Sequence, residues 1–340
     1  RGHYICRYYS SSKQYFESFI MSILIAICII TCRRPEGLLK LLKSLDNLYF
    51  STRNSPSIAL IIVDNDPQQS AQKIVTEWHH ETNFHVAYHQ ETEPGIPFAR
   101  NRAIKEALAL SADKIAFLDD DEYVDPNWLE AMVDMQNKSN ASIIWGPVFP
   151  VYEIDTVPLW IINGGFYDRQ RYEDGQVLHN AASNNVLIKS HVFDDQSLRF
   201  NENMRYTGGS DHLFFKQAAC KGHIIVWSAR AKVWEDVPAS RLTESWLCNR
   251  FLRLGNTHTI TEIALDPSIT KLTLLALQGM IRLIPSAMIL PFTPFLPKVR
   301  AMKIKRSYYR GLGMLKALVN KPYQEYKPTE NLTDNYLGKP

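Results

Sequence analysis

An α/β fold, with a mostly parallel central sheet flanked by helices, is what this sequence predicts for its N-terminal half. Three observations carry that expectation. Short apolar runs alternate with amphipathic stretches of ~10–15 residues, the rhythm of βαβ units. The apolar runs are continuous rather than alternating, as strands covered on both faces require. A cluster of carboxylates, Asp119-Asp120-Asp121-Glu122, follows directly on one such run. In an open α/β sheet the carboxyl ends of the strands are where ligands bind.

The elements follow in order. Residues 23–30 read as a first strand, and residues 36–48 as an amphipathic helix with Leu38, Leu39, Leu41, Leu42 and Leu45 on one face. Residues 58–63 form a second strand that ends in Asp64-Asn65-Asp66-Pro67. A helix over 70–80, a strand over 84–89 and a helix over 97–110 precede the strand that ends at Asp119. No glycine fingerprint of a dinucleotide fold follows the first strand; Thr31-Cys32-Arg33-Arg34-Pro35 stands there instead, which argues against an NAD enzyme.

After residue 143 the rhythm changes. A strand over 143–151 is broken by Gly146-Pro147, and a loop rich in Trp, Gly and Tyr spans 160–172. A further strand is expected within 183–189. A second acid-bearing loop, Thr207-Gly208-Gly209-Ser210-Asp211, opens a helix over 212–221. A carboxylate at that position suits the N-terminal helix dipole, so Asp211 reads as a cap or as a functional acid. Another strand covers 224–227, and a helix over 246–256 carries Arg250 and Arg253 three residues apart on one face.

The last third is apolar and then basic. Residues 283–297 are apolar but contain four prolines, with Arg282 at the edge. A spanning helix needs ~20 apolar residues, so the segment reads as interfacial or as a helix packed on the core. Between Lys298 and Lys321 stand eight basic residues (Lys298, Arg300, Lys303, Lys305, Arg306, Arg310, Lys316 and Lys321) and no Asp or Glu. That excess suits an anionic surface such as a membrane.

The bulk numbers exclude little else. A chain of 340 residues can hold one large domain or two smaller ones. A net charge of +3 is too small to argue for nucleic acid. The cysteines (Cys6, Cys28, Cys32, Cys220 and Cys248) are odd in number and scattered, which suggests neither a disulfide framework nor a zinc site and fits a cytoplasmic setting. The basic start and the apolar run to Thr31 resemble a signal peptide, but no small-residue cleavage site follows and a helix pattern begins at once. Residues 1–20 are therefore expected to be an upstream extension, with Met21 the true start.

The chemistry of the acid cluster points to a cation. Neighbouring carboxylates repel and are costly to desolvate, so they need a counter-charge. A hard divalent ion, Mg²⁺ or Mn²⁺, held by one or two carboxylates plus phosphate oxygens, supplies it. A solvated acidic turn is the other reading of these residues.

From about Ser22 to Thr257 the chain resembles the family 2 glycosyltransferases of the GT-A fold, the nucleotide-diphospho-sugar transferase fold. Thr31-Cys32-Arg33-Arg34-Pro35 looks like the family's first nucleotide-contacting loop, and Val63-Asp64-Asn65-Asp66 like its second. Gly95-Ile96-Pro97-Phe98-Ala99-Arg100-Asn101 resembles the G-x-x-x-A-R-N signature. Asp119-Asp120-Asp121 resembles the D-x-D element, and Gly208-Gly209-Ser210-Asp211 the G-G-E-D loop. Within the family the resemblance is to bacterial exopolysaccharide glycosyltransferases of the succinoglycan type, through Ala182-Ser183-Asn184-Asn185-Val186-Leu187 and the R-x-x-R-x-G-N element from Arg250 to Asn256. Two departures stand out. Ser210 occupies the place of the usual Glu, and Glu235 stands near where some relatives place a His. The Q-x-x-R-W signature of processive synthases is absent.

The resemblance implies an inverting transfer of a sugar from a nucleotide diphosphate sugar, UDP-linked in most relatives, to a glycan or polyprenyl-linked acceptor. The setting it implies is surface polysaccharide synthesis at the cytoplasmic face of the membrane, with peripheral membrane contact and no nucleic-acid partner. Asp211 is then the general base and Asp121 the metal ligand, with Asp119 on metal or ribose. Thr31, Arg33, Asp64 and Arg100 hold the nucleotide, Asp64 by reading the base. Arg250, Arg253, Glu235 and Trp160 are candidates for the diphosphate or the acceptor. The implied layout is a catalytic domain over 21–257, followed by an amphipathic C-terminal helical extension, basic and membrane-associating, over 258–340. Two rivals remain: a catalytically silent sugar-nucleotide-binding or membrane scaffold, and an Asp-nucleophile phosphohydrolase. The second is disfavoured because Val124 lies one place too far from the acids and the motif follows the fourth strand, not the first.

Overall fold

The computed structural model describes residues 23–51 and 55–319. The expected N-terminal extension, Met21, Cys6 and Lys321 lie outside them. The first seven elements follow the expected order, with ends shifted by at most a few residues: β1 (Leu24–Thr31), α1 (Pro35–Leu45), β2 (Ser57–Asp64), α2 (Gln72–His79), β3 (His85–Gln90), α3 (Ile96–Ala109) and β4 (Lys114–Asp119). Then come β5 (Glu122–Val124), α4 (Trp128–Ser139), β6 (Ile143–Trp145), β7 (Val148–Tyr152), α5 (Leu159–Gly164), β8 (Val177–Leu178), β9 (Val186–Lys189), α6 (Ser210–Cys220), β10 (Ile225–Trp227) and β11 (Val233–Val237). Three long helices close the described chain: α7 (Glu244–Leu265), α8 (Ile269–Ile289) and α9 (Lys298–Leu318).

The strands form an eight-stranded sheet in the order β3-β2-β1-β4-β9-β6-β10-β8. Its β3-β2-β1-β4 half is parallel, as expected. The other half is mixed, because β9 runs antiparallel to both β4 and β6. Successive side chains of β1 feed opposite faces of the sheet, as a strand's period of two requires. Ile25, Ile27 and Ile29 pack with Leu38, Leu41, Leu42 and Leu45 of α1. Ala26 and Cys28 pack with Ala99, Ala103 and Ala107 of α3 and with Phe214 and Phe215 of α6. Burial on both faces is why these strands read as unbroken apolar runs.

The strand expected over 143–151 is two strands in two sheets. β6 belongs to the main sheet, whereas β7 joins β5 and β11 in a small second sheet of order β5-β11-β7. The break is steric. A Cβ on Gly146 would meet Ala231 O at 2.5 Å and Asn185 Nδ2 at 2.6 Å. Asn185, itself in the left-handed region at φ 60°, fastens the joint. Its Nδ2 donates to Pro147 O and Ala231 O, each at 2.8 Å, and its Oδ1 accepts from Trp128 Nε1 at 2.7 Å.

The C-terminal helices depart most from expectation. α7 runs unbroken through position 257, where the sequence places the end of the catalytic domain. The apolar run is also longer than residues 283–297. It begins at Ile269, capped by Ser268 Oγ, which accepts from Lys271 N at 3.3 Å. With the turn that follows it, Ile269–Phe295 is long and apolar enough to cross a membrane. Arg282 and Pro285 concealed this in the sequence, yet the helix continues through both, and Ser307 Oγ of α9 donates to Arg282 O at 3.2 Å. α9 lies between α7 and α8, and glycines set the spacing: a Cβ on Gly255 would fall 2.0 Å from Arg310 O, and one on Gly311 2.7 Å from Gly279 O.

The same contact makes Gly313 sensitive. A Cβ there would lie 2.0 Å from Leu252 O, so Gly313→Val must push α9 off α7. The expected loss is about 1–3 kcal/mol, read as a lower denaturant midpoint at unchanged slope.

Candidate active site

The site is built where three parallel strands end together. Register pairs Thr31 of β1 with Asp64 of β2, and Ile30 of β1 with Asp119 of β4. Loop residues from both sides of the sheet therefore converge on this edge, as they do in open α/β sheets.

At the end of β4 five carboxylates meet four arginines. Asp120 is buried; its Oδ2 accepts from Thr31 Oγ1 at 2.8 Å and its Oδ1 from Arg34 Nη1 at 3.1 Å. Asp121 accepts from the same Arg34 nitrogen at 3.0 Å and lies 3.5 Å from Arg241 Nη2. Asp119, whose side chain is 38% exposed, is 3.4 Å from Arg100 Nη2. Glu122 is buried and accepts from Asp119 N at 2.9 Å and from Asn184 Nδ2 at 3.0 Å. Glu235 of β11, held opposite Glu122 by strand register, is paired with Arg169 and with Arg241, the latter at 3.4 Å.

The arginines do not fully compensate these acids. Burial pushes Asp120 up to about 6, with Asp121 adding to the rise and Arg34 opposing it. Burial also raises Asp121, and Glu235 and Asp119 raise it further against the pull of Arg34. Asp119 and Glu122 are raised in the same way, burial first. For Arg34 burial works against the charge, but Asp120 and Asp121 outweigh it and hold the guanidinium protonated.

The second loop holds two buried acids. Asp64 has no exposed surface. Its carboxylate accepts from Asp66 N at 2.9 Å, Ala71 N at 3.0 Å and the Tyr88 hydroxyl at 2.9 Å. A side chain so enclosed ties the loop to β3. Asp66 is equally buried, at 1% exposure, and its Oδ1 accepts from Arg33 Nε at 3.2 Å. Arg33 adopts φ 57° to make that reach.

Asp211 sits in the first turn of α6, behind Gly209 at φ 88°, whose Cβ would strike Thr257 Cγ2 at 2.3 Å. Burial opposes ionisation of Asp211, but His212, Arg100 and the backbone N–H groups of the helix start hold it below the usual carboxylate range. The same Arg100 lies 3.4 Å from Asp119. Ser210 is buried beside it and brings no second carboxylate.

The remaining candidates divide. Arg250 lies over the rings of Tyr167, 5.2 Å away, and Trp246, 5.4 Å away. It makes no ion pair among the described residues, and burial, Arg253 and Arg169 bring it down to about 10. Glu235 belongs to the acid cluster, not to a separate phosphate site. Trp160 packs on Phe166 beneath Lys298, within the aromatic cluster that joins α5 to α7 and α9. It remains partly exposed there. Trp234 stacks on Tyr123. His212 Nδ1 pairs with Asn180 Nδ2 at 2.7 Å, a structural contact.

The family described as glycosyl transferase family 2 matches residues 26–195. The succinoglycan biosynthesis protein ExoM of Rhizobium meliloti is 31% identical over 234 residues, 69% of this chain and 74% of that protein. The chain belongs to glycosyl transferase family 2. Its GT-A-type fold is also that of Staphylococcus aureus TarS. One crystal structure, of TarS residues 1–349, shares 13% identity at a TM-score of 0.51, covering 89% of this chain and 93% of that one. A longer TarS structure matches at 0.50 and 14% identity, over 88% of this chain and 55% of that one.

As a family 2 glycosyltransferase the chain is an enzyme, and its acid cluster can be tested as a cation site. Among the described residues no three His, Cys, Asp or Glu side chains gather to hold a metal alone. Asp119 and Asp121 nonetheless fit a divalent ion whose remaining ligands are diphosphate oxygens and water. Both are partly exposed, both are raised by burial and by like charge, and both would be relieved by a cation. Sequence reasoning missed Arg169 and Arg241. Isolated arginines in loops carry no local signal; only their partners mark them. Asp121 and Arg241 also line the end of a cleft of about 650 Å³, with Lys40, Asp236 and Trp246 further along it.

A pH dependence follows from Asp120. Its folded-state value of about 6 exceeds the ordinary 3.8, so the folded protein binds its proton more tightly than the unfolded chain. The stabilisation is present when protonated and is lost as pH rises from ~4 to ~6. Asp120→Asn should flatten the unfolding midpoint against pH in that window; an unchanged slope in ligand-free buffer would exclude Asp120 as its source.

Proposed function

We propose that this enzyme catalyses an inverting transfer from a UDP-linked sugar to a polyprenyl-linked or glycan acceptor in bacterial surface polysaccharide synthesis, at the cytoplasmic face of the membrane. The observation that carries the reading is the acid cluster at the end of β4, whose partly exposed Asp119 and Asp121 fit a diphosphate-bound cation; Arg100, 3.4 Å from Asp119, also favours the ionised form of Asp211. The name of the succinoglycan biosynthesis relative supports the pathway class.

The chemistry is one displacement at the anomeric carbon. The acceptor oxygen forms the new bond as the bond to the diphosphate breaks. Asp211, ionised at neutral pH, takes the hydroxyl proton, a contribution of roughly 10²–10⁴-fold. A divalent ion bound by Asp119 and Asp121 would supply Lewis-acid neutralisation of the leaving diphosphate. Thr31 holds Asp120, and Arg34 spans Asp120 and Asp121, which keeps the loop in position. The Asp64–Asp66 loop is assigned to the base of the nucleotide, with Arg33 paired to Asp66. Arg250 is assigned to an anionic phosphate because it is a half-buried cation without a carboxylate partner, and a guanidinium fork matches phosphate oxygens. Arg253 stands on the same helix face as a second contact.

Asp211→Asn should leave donor affinity intact and lower kcat by at least about a hundredfold; equal turnover would remove it as base. Thermal shift with UDP, GDP, ADP and NAD, each with and without Mn²⁺, identifies the donor. Stabilisation by one diphosphate, metal-dependent and lost in Asp121→Ala, is expected. No response to any nucleotide would leave a silent scaffold as the better reading. Arg250→Gln should weaken binding of the phosphate-bearing substrate about ten- to hundredfold, the range of a charged hydrogen bond, without lowering the melting temperature.

A further inference from the structure

The outer face of α8 has nothing packed on it among the described residues. Leu274, Leu277, Ile281, Ile284 and Met288 recur at steps of three and four and are all exposed, Ile281 and Met288 to 72%. That spacing puts them in one stripe along the helix. Phe292 and Phe295 extend the apolar surface through the following turn, Phe295 at 85% exposure. The opposite stripe, Leu275, Gly279 and Ser286, is buried. An exposed apolar surface of this length marks a partner.

Beside it lies a basic cluster. Arg282 stands one position round α8 from Ile281, toward α9, where Ser307 Oγ donates to Arg282 O at 3.2 Å. Arg306 and Arg310 of α9 complete a trio. Burial pushes Arg310 below the usual arginine range, and Arg306 and Arg282 push it further. None of the three makes an ion pair among the described residues. Elsewhere on α9 the contrast is plain, since Lys298 and Lys305 both pair with Glu244.

We infer that α8, its following turn and the arginine trio form a monotopic anchor lying in the plane of an anionic lipid bilayer, with the stripe in the acyl boundary and the trio on lipid phosphates. The charge pattern selects the occupant, because an apolar stripe flanked by uncompensated arginines matches an anionic headgroup layer. The packing selects the orientation. α8 cannot leave α9 without opening the Gly279–Gly311 contact. A spanning α8 would draw α9 in with it, and α9 bears seven Lys or Arg and no acid. Each basic residue at the bilayer centre costs ~2.5–3.5 kcal/mol on insertion scales. α9 is fastened in turn to α7, the helix that carries Arg250, so the anchor holds the cleft at a set height over the membrane. The inference deepens the lipid-linked acceptor reading above, yet its test does not depend on catalysis.

The full chain should co-sediment with vesicles of phosphatidylcholine plus phosphatidylglycerol, more weakly with phosphatidylcholine alone, and be released by alkaline carbonate. Ile281→Asp with Ile284→Asp should abolish sedimentation with both. Arg282→Gln, Arg306→Gln and Arg310→Gln together should cut the anionic preference on the order of a hundredfold, at about 1 kcal/mol per basic residue. Ile281, Arg282, Ile284 and Arg306 are exposed and Arg310 is half-buried, and an unchanged Mn²⁺-dependent thermal shift with nucleotide shows that the variants fold. That response also separates failure of the anchor from failure of the transferase reading. No sedimentation with either vesicle overturns the anchor. Release by detergent alone overturns the in-plane orientation in favour of a span. A dimer in solution that Ile281→Asp converts to monomer gives the stripe to a second copy instead.

Discussion

Five carboxylates gathered at the end of β4 are the constraint on which the site depends. Asp119, Asp120, Asp121, Glu122 and Glu235 could not stand together in a low dielectric without opposite charge. Arg34, Arg100, Arg169 and Arg241 supply it from four separate parts of the chain: the loop after β1, helix α3, the loop after α5 and the approach to α7. The acid cluster therefore exists as a site only when the whole domain has assembled. The compensation stops short, as the rise of Asp120 to about 6 records. A site one charge short of balance is poised for a cation that arrives with its own phosphate.

Geometry at that site is held from behind by neutral hydrogen bonds. Asn185 ties Trp128, Pro147 and Ala231 together at the junction of the two sheets. Its neighbour Asn184 holds Glu122. The pair thus sets where the small sheet meets the large one, and with it the register that places Glu235 against Glu122. Each amide is buried and satisfied, which is what makes it specifying rather than costly.

The C-terminal helices use a different principle. Gly255, Gly279, Gly311 and Gly313 let backbones approach where any Cβ would collide. α9 so becomes a rigid spacer between α7, which lines the cleft with Trp246 and Asn249, and α8, which faces outward. An enzyme of glycosyl transfer gains from this a fixed relation between its reaction centre and its outer apolar face.

The sequence by itself determined the parallel half of the fold, because burial on both faces of β1, β2 and β4 leaves continuous apolar runs that nothing else explains. It also determined the family, through acids and glycines whose spacing is set by local backbone demands. Only the tertiary structure decided how each acid is held. Asp64 and Asp66 are two residues apart and look equivalent in the chain, yet one is enclosed by Ala71 and Tyr88 and the other pairs with Arg33. The same holds for Trp160, drawn into packing by Phe166, and for Arg169 and Arg241, which mean nothing until Glu235 and Asp121 lie beside them. The full length of α8 was hidden too, since Arg282 interrupts the apolar run and only α9 explains why it can. Local patterns report what a segment buries. Charge pairing and helix contacts between distant segments leave no mark on either partner alone, so they are settled only when the chain has folded.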